Sequence, residues 1–157
     1  MSPLYVHVIN CGCYVFVGGL ICTSVMDLVL ILDSSTSVGQ NNWDIMIDFL
    51  VILLNSLDLS TGVRVAVVQF GTDAEIIFDF DANSDKEATV NAVRSLVYYT
   101  GPTQYTNIAK PFRLAKMLFQ AGGRSGVPWI VLFFTDGKPT VRILILLSIL
   151  VCMNSMK

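Results

Sequence analysis

Apolar and polar positions along this chain fall into a few distinct regimes. Leu28 to Leu32 run without a polar residue and stop at Asp33, after which Ser34, Ser35, Thr36 and Ser37 present four hydroxyl side chains in a row. A short, continuous apolar run predicts a strand buried on both faces, as in a parallel sheet. Asn41 or Asn42 is placed to cap a helix from Trp43 to about Leu57, with Asp44 and Asp48 four apart on one face and the rest mostly buried. Val63 to Phe70 and Glu75 to Phe80 flank Gly71, Thr72 and Asp73. In the second run Ile76, Phe78 and Phe80 alternate with Glu75, Ile77 and Asp79, which predicts an antiparallel hairpin at a sheet edge.

Ser84 followed by Glu87 reads as a capping box, and Val90, Val93 and Val97 continue the stripe of a short helix. After the turn-rich YYTGPTQYTN, residues Ile108, Phe112, Ala115 and Phe119 recur at helical spacing up to Gly122 and Gly123. Trp129 to Phe134 then forms a second fully apolar strand, ending in Thr135, Asp136 and Gly137. The order β α β β α α β predicts an α/β sheet covered by helices.

Composition narrows the function classes. The 157 residues suit one domain with a substantial core. Ten basic against 12 acidic side chains give a net charge of −2, so no electrostatic grip on nucleic acid is expected. The hydrophobic fraction of 54% is concentrated at the ends. Residues 1–26 carry no charged side chain and read as a candidate signal peptide or anchor, the only part from which membrane contact is expected. Cys11, Cys13, Cys22 and Cys152 leave residues 23–151 without cysteine, so no disulfide framework or thiolate metal site holds the middle of the chain. His7 is the only histidine, which leaves a serine-histidine hydrolase without support.

Two buried strands end in an aspartate, Asp33 and Asp136. Ligands of open α/β sheets bind at the carboxyl ends of strands where strand order reverses. If these strands are neighbours, their carboxylates converge and call for a shared proton or a cation. Ser35 and Ser37, at alternate positions after Asp33, favour the cation. Oxygen-only ligands suit Mg²⁺, Mn²⁺ or Ca²⁺, and the lack of Cys and His disfavours zinc or copper.

These features resemble the von Willebrand factor type A domain, through DSSTS as its Asp-x-Ser-x-Ser, RVAVVQFGTDAEIIFDF as its central hairpin and VLFFTDGKPT as its second aspartate strand. The resemblance implies a Rossmann-like, doubly wound, mostly parallel sheet with one antiparallel edge strand and helices on both faces. It also implies a metal-ion-dependent adhesion site built from Asp33, Ser35, Ser37, a threonine of the GPTQYTN loop and Asp136, holding Mg²⁺ (or Mn²⁺ or Ca²⁺). Thr106 is the preferred threonine because Thr103 would push Pro111 deeper into the following helix, at a cost of about 3 kcal/mol. Thr103 stays as the alternative.

The implied activity is cation-dependent binding of a matrix or cell-surface protein whose acidic residue completes the coordination, in a secreted, extracellular and non-enzymatic module. Ser34 and Thr36 are expected only to shape the turn. The resemblance covers residues 27–140. Because a complete domain of the family continues with further helices and strands, residues 141–157 read as an apolar tail outside it, the C-terminal part of the domain is expected to be missing, and one expectation lays this tail against the edge of the Trp129 strand. The competing readings are an aspartyl phosphotransferase, which normally has a second aspartate where Ser35 stands, and a non-functional domain fragment.

Overall fold

A computed structural model describes residues 25–83, 85–98 and 108–135, together with the backbone strands at 13–16, 19–22 and 151–153. In chain order the elements are β1 (Cys13–Phe16), β2 (Gly19–Cys22), β3 (Met26–Asp33), α1 (Gly39–Ser56), β4 (Val63–Phe70), β5 (Ala74–Phe78), α2 (Lys86–Arg94), α3 (Ala109–Gly122), β6 (Trp129–Phe134) and β7 (Val151–Met153). The strands β1 and β2 pair with each other as a separate antiparallel hairpin. Among the described residues no helix is long and apolar enough to cross a membrane.

The central sheet has the order β5-β4-β3-β6-β7. All eight residues of β3 are buried, and β3 runs parallel to β4 on one side and to β6 on the other. That arrangement explains the unbroken apolar run, since both faces of the strand are covered. Leu28, Leu30 and Leu32 pack with Trp43, Leu50 and Leu54 of α1 and Val90 and Val93 of α2. The alternate residues Val29 and Ile31 pack with Ala115, Leu118 and Phe119 of α3 on the opposite face. Each fully buried Leu or Ile contributes about 1.5–3 kcal/mol of transfer free energy, which makes these two layers the main stabilising feature. From β3 the chain goes through α1 to β4 on one side and later returns to β6 on the other, so strand order reverses between β3 and β6.

The fold is therefore the expected α/β, doubly wound, mostly parallel sheet with helices on both faces. The hairpin of β4 and β5 forms one antiparallel edge. At the other edge β7 pairs antiparallel with β6, Val151 opposite Val131, which adds a second antiparallel edge strand and puts part of the tail against the Trp129 strand.

Several local expectations are corrected. Helix α1 begins at Gly39 rather than Trp43, because Val38 N–H already bonds the Ser35 carbonyl at 3.1 Å and the chain is winding before the asparagines are reached. Gly39 has φ 73°, a left-handed conformation that favours glycine. Asn42 donates its amide to the Val38 carbonyl at 2.7 Å instead of capping. Only one face of α1 is packed, and Ile52 on the other face is 69% exposed.

The cap of α2 is Asp85, whose carboxylate accepts the Ala88 N–H at 2.8 Å. Ser84 lies outside the described residues. The helix ends at Arg94, so Val97 falls beyond it and is exposed. In β5 the expected alternation is broken by a bulge opposite Val67 and Val68, which lets the consecutive Ile77 and Phe78 both pack toward α1 and α2. Phe80 packs on the α3 side.

Sequence patterning did not single out Asp27, which anchors the amino-terminal end of the sheet. Its carboxylate is fully buried and accepts from Arg64 Nε at 3.1 Å and Nη2 at 3.0 Å, and from the Arg124 backbone N–H at 2.6 Å and Nε at 2.8 Å. Arg64 also reaches the Gly122 carbonyl and Asp81, and Arg124 reaches the Met26 and Gly62 carbonyls. Burial alone would raise the Asp27 pKa, but the hydrogen bonds from Arg64 and Arg124 outweigh it and hold the carboxyl below its ordinary value. The turn from α3 to β6 is thereby locked to the start of β3.

Candidate metal site

The carboxyl ends of β3 and β6 lie side by side, with Leu32 paired to Phe134. Asp33 is the last residue of β3 and Thr135 directly follows β6. Thr135 Oγ1 donates to Asp33 Oδ2 at 2.6 Å, a short bond of the charge-assisted kind. The other carboxylate oxygen, Oδ1, accepts the Ser35 N–H at 2.8 Å, which turns the chain immediately after the strand. Asp33 itself is only 1% exposed. Ser34 sends both its backbone N–H and its hydroxyl to the Phe70 carbonyl at the end of β4, at 2.7 and 3.1 Å. It holds the turn by tying it to the neighbouring strand β4, where bonding to local backbone was expected.

This turn brings the hydroxyls of Ser35 and Ser37 to 3.1 Å from each other. Ser35 is buried and Ser37 is exposed, so the pair spans the boundary between the sheet edge and solvent. Tyr98, which follows α2, donates its hydroxyl to the Ser35 carbonyl at 2.6 Å and accepts the Gly39 N–H at 3.1 Å. Its ring packs on Trp43 with centroids 5.6 Å apart. Gly71, after β4, lies close under the turn; a Cβ there would sit 3.8 Å from Ser35 N.

The chemistry of this donor set fits a hard divalent cation. An octahedral ion with oxygens at about 2.1 Å separates adjacent ligands by about 3.0 Å, close to the Ser35–Ser37 spacing. Among the described residues, Asp33 has no Lys, Arg or His partner, and its charge is met by a hydroxyl and a backbone amide. No cluster of three His, Cys, Asp or Glu residues is found among the described residues. The described part of the site offers hydroxyl oxygens beside the Asp33 carboxylate, an oxygen-only pattern suited to Mg²⁺ or Mn²⁺.

Of the residues expected from sequence, Asp33, Ser35 and Ser37 are brought together. Thr106, its alternative Thr103, and Asp136 lie outside the described residues. Thr135 and Tyr98 were missed. Thr135 carried a usable signal, since it is the hydroxyl directly before Asp136 at the end of an apolar strand. Tyr98 carried none, because its partners are 63 and 59 residues away in sequence.

Comparison with known proteins agrees with this geometry. The mouse von Willebrand factor A domain-containing protein 2 is 33% identical over 119 residues, covering 74% of this chain and 14% of that protein. The mouse collagen alpha-4(VI) chain is 35% identical over 119 residues, covering 73% of this chain and 5% of that one. The chain thus spans a small part of the length of these relatives. Among solved structures, proximal thread matrix protein 1 from the mussel byssus, with a zinc-occupied MIDAS motif, superposes with a TM-score of 0.67 at 23% identity, covering 80% of this chain and 34% of its own. The family model of the von Willebrand factor type A domain matches residues 27–151, and the chain belongs to that family.

Proposed function

We propose that this chain is a divalent-cation-dependent protein-binding module of the extracellular matrix or cell surface. The observation that carries the reading is the buried Asp33 carboxylate, without a cationic side-chain partner among the described residues, beside two hydroxyls 3.1 Å apart at the carboxyl edge of adjacent parallel strands. Asp33, Ser35 and Ser37 would hold the ion, with Thr106 (or Thr103) and Asp136 completing its shell. A bound Mg²⁺ or Mn²⁺ supplies an electrophilic position for an acidic side chain of a partner protein. The chain's own part is to fix the hydroxyls and limit the negative charge around the ion.

The family membership and the collagen relative support secretion and a matrix partner. The zinc-occupied motif of the mussel protein supports a divalent metal while leaving its identity to measurement. A non-enzymatic role is supported by the matrix-protein relatives and by Ser35, which stands where an aspartyl phosphotransferase normally carries its second aspartate.

Thermal unfolding of the chain with and without Mn²⁺, Mg²⁺, Ca²⁺ and Zn²⁺ tests the reading. At a free ion concentration about 100 times Kd, binding stabilises by about 2.7 kcal/mol. The expected result is a rise in melting temperature with at least one ion that Asp33→Asn removes and Ser37→Ala weakens. No rise with any of the four, at millimolar concentrations, overturns the metal reading. Mg²⁺-dependent turnover of a phosphate ester that Asp33→Asn abolishes would replace it with the phosphotransferase.

A further inference from the structure

The structure assigns Tyr98 as a positioning residue that sets the hydroxyl-bearing turn for cation binding, an inference that rests on the metal reading above. Its phenol oxygen acts in both directions, donating to the Ser35 carbonyl at 2.6 Å and accepting the Gly39 N–H at 3.1 Å. These two groups bracket Thr36, Ser37 and Val38, so one side chain fixes the beginning and the end of the turn that presents Ser37. The same turn is closed internally by the bond from Val38 N–H to the Ser35 carbonyl.

The preceding residue is tied down as well, because Gln69 of β4, 5% exposed, donates its amide to the Val97 carbonyl at 3.0 Å. Tyr98 is therefore held between the end of β4 and the ring of Trp43. In sequence it stands immediately before residues 99–107, which carry both Thr103 and Thr106. The hydroxyl that holds the first motif thus belongs to the last described residue before that threonine-bearing stretch of sequence. Among the described residues none of its contacts involves an atom that would touch the ion, which makes the role one of orientation. Partners that orient metal ligands without touching the metal change affinity by about 10–100-fold when removed.

The test is Tyr98→Phe, which keeps the ring on Trp43 and deletes only the hydroxyl. Mn²⁺ affinity is measured by titration calorimetry, stability by urea unfolding, and the Gly39 amide by hydrogen exchange without metal. The control is Phe119→Leu, a loss of packing on the opposite face of the sheet. The expected outcome is a Kd for Mn²⁺ raised about tenfold or more in Tyr98→Phe. Gly39 exchange should be faster in that variant, and Phe119→Leu should lose stability while keeping its Mn²⁺ affinity. Wild-type Mn²⁺ affinity in Tyr98→Phe overturns the inference and leaves the metal reading standing. An equal loss of affinity in Phe119→Leu also overturns it, since the effect would then follow general stability. An unmutated chain that takes no Mn²⁺ removes the metal reading and this inference with it.

Discussion

Replacing Asp27 with asparagine should be among the most damaging isosteric changes in the described fold. The carboxylate is fully buried and accepts four hydrogen bonds, two from Arg64 and two from Arg124. Asparagine fills the same volume but turns an NH₂ toward donors and removes the charge. Breaking a buried ion pair by altering one partner costs about 3–5 kcal/mol. The Arg64 and Arg124 side chains are 25% and 29% exposed, so water recovers part of their lost solvation and the expected loss is at the lower end, about 3 kcal/mol.

For a domain of this size a 3 kcal/mol loss lowers the melting temperature by roughly 6–12 °C. Urea unfolding of Asp27→Asn should show the loss at neutral pH. Asp81→Asn, which removes only the 77% exposed arm of the Arg64 interaction, should change stability by about 0.5 kcal/mol or less. The pH dependence has a definite sign. Asp27 has a folded pKa below its ordinary 3.8, so its stabilisation is fully present above the unfolded value and is lost as pH falls through the folded one. The gap between the unmutated chain and Asp27→Asn should therefore narrow below about pH 4. A loss under 1 kcal/mol at pH 7, or a gap that widens in acid, would refute the assignment of Asp27 as the anchor of this end of the sheet.

Thr135→Val keeps the shape of the side chain and deletes the hydroxyl that bonds Asp33 Oδ2, so urea unfolding should show a loss of about 1.5–3 kcal/mol. Gly123→Ala should destabilise by about 1–3 kcal/mol, because the added Cβ meets the Phe119 carbonyl and lies 2.8 Å from the Trp129 ring; unchanged stability would show that the turn into β6 yields easily. Asp58 is held down to about 2, chiefly by the Thr61 hydroxyl and then by the Ser60 hydroxyl, so carbon-detected NMR titration should find it charged well below pH 3.8 and Thr61→Val should move its midpoint upward. Its contribution to stability is present above the ordinary carboxyl value and is lost as pH falls through about 2.

Different parts of the molecule were legible to different degrees, for physical reasons. The strands β3 and β6 could be read directly, since burial on both faces demands an unbroken apolar run. The juxtaposition of Asp33 with Ser35 and Ser37 was legible because it depends on residues within five positions of one another. The start of α1 was not, because the turn before it is closed by a left-handed Gly39 and by Tyr98, and the asparagines that resemble caps are already inside the helix. The face assignments in β5 failed at a bulge, which shifts the period of two without any change in composition. The Asp27 cluster joins residues 37 and 97 positions apart, and no periodic pattern links such partners.

The two aspartates that bound β3 show how one residue type serves opposite ends of a sheet. Asp27 and Asp33 are six positions apart on the same buried strand, and each is almost wholly removed from water. At the amino end two guanidinium groups neutralise the charge and fill its acceptor sites, which stabilises the fold and leaves nothing for a ligand. At the carboxyl end, among the described residues, a hydroxyl and a backbone amide meet the charge, and the Ser35 and Ser37 hydroxyls converge beside it. A buried carboxylate solvated by neutral donors retains its field, and that field falls where strand order reverses and the sheet edge opens to solvent. Among the described residues, the same strand is thus locked by ion pairs at one end and met by neutral donors at the other. The geometry of the Asp33 end is set by its own short bonds, from Thr135 Oγ1 and the Ser35 N–H, while the pairing at Asp27 secures the opposite end of the strand.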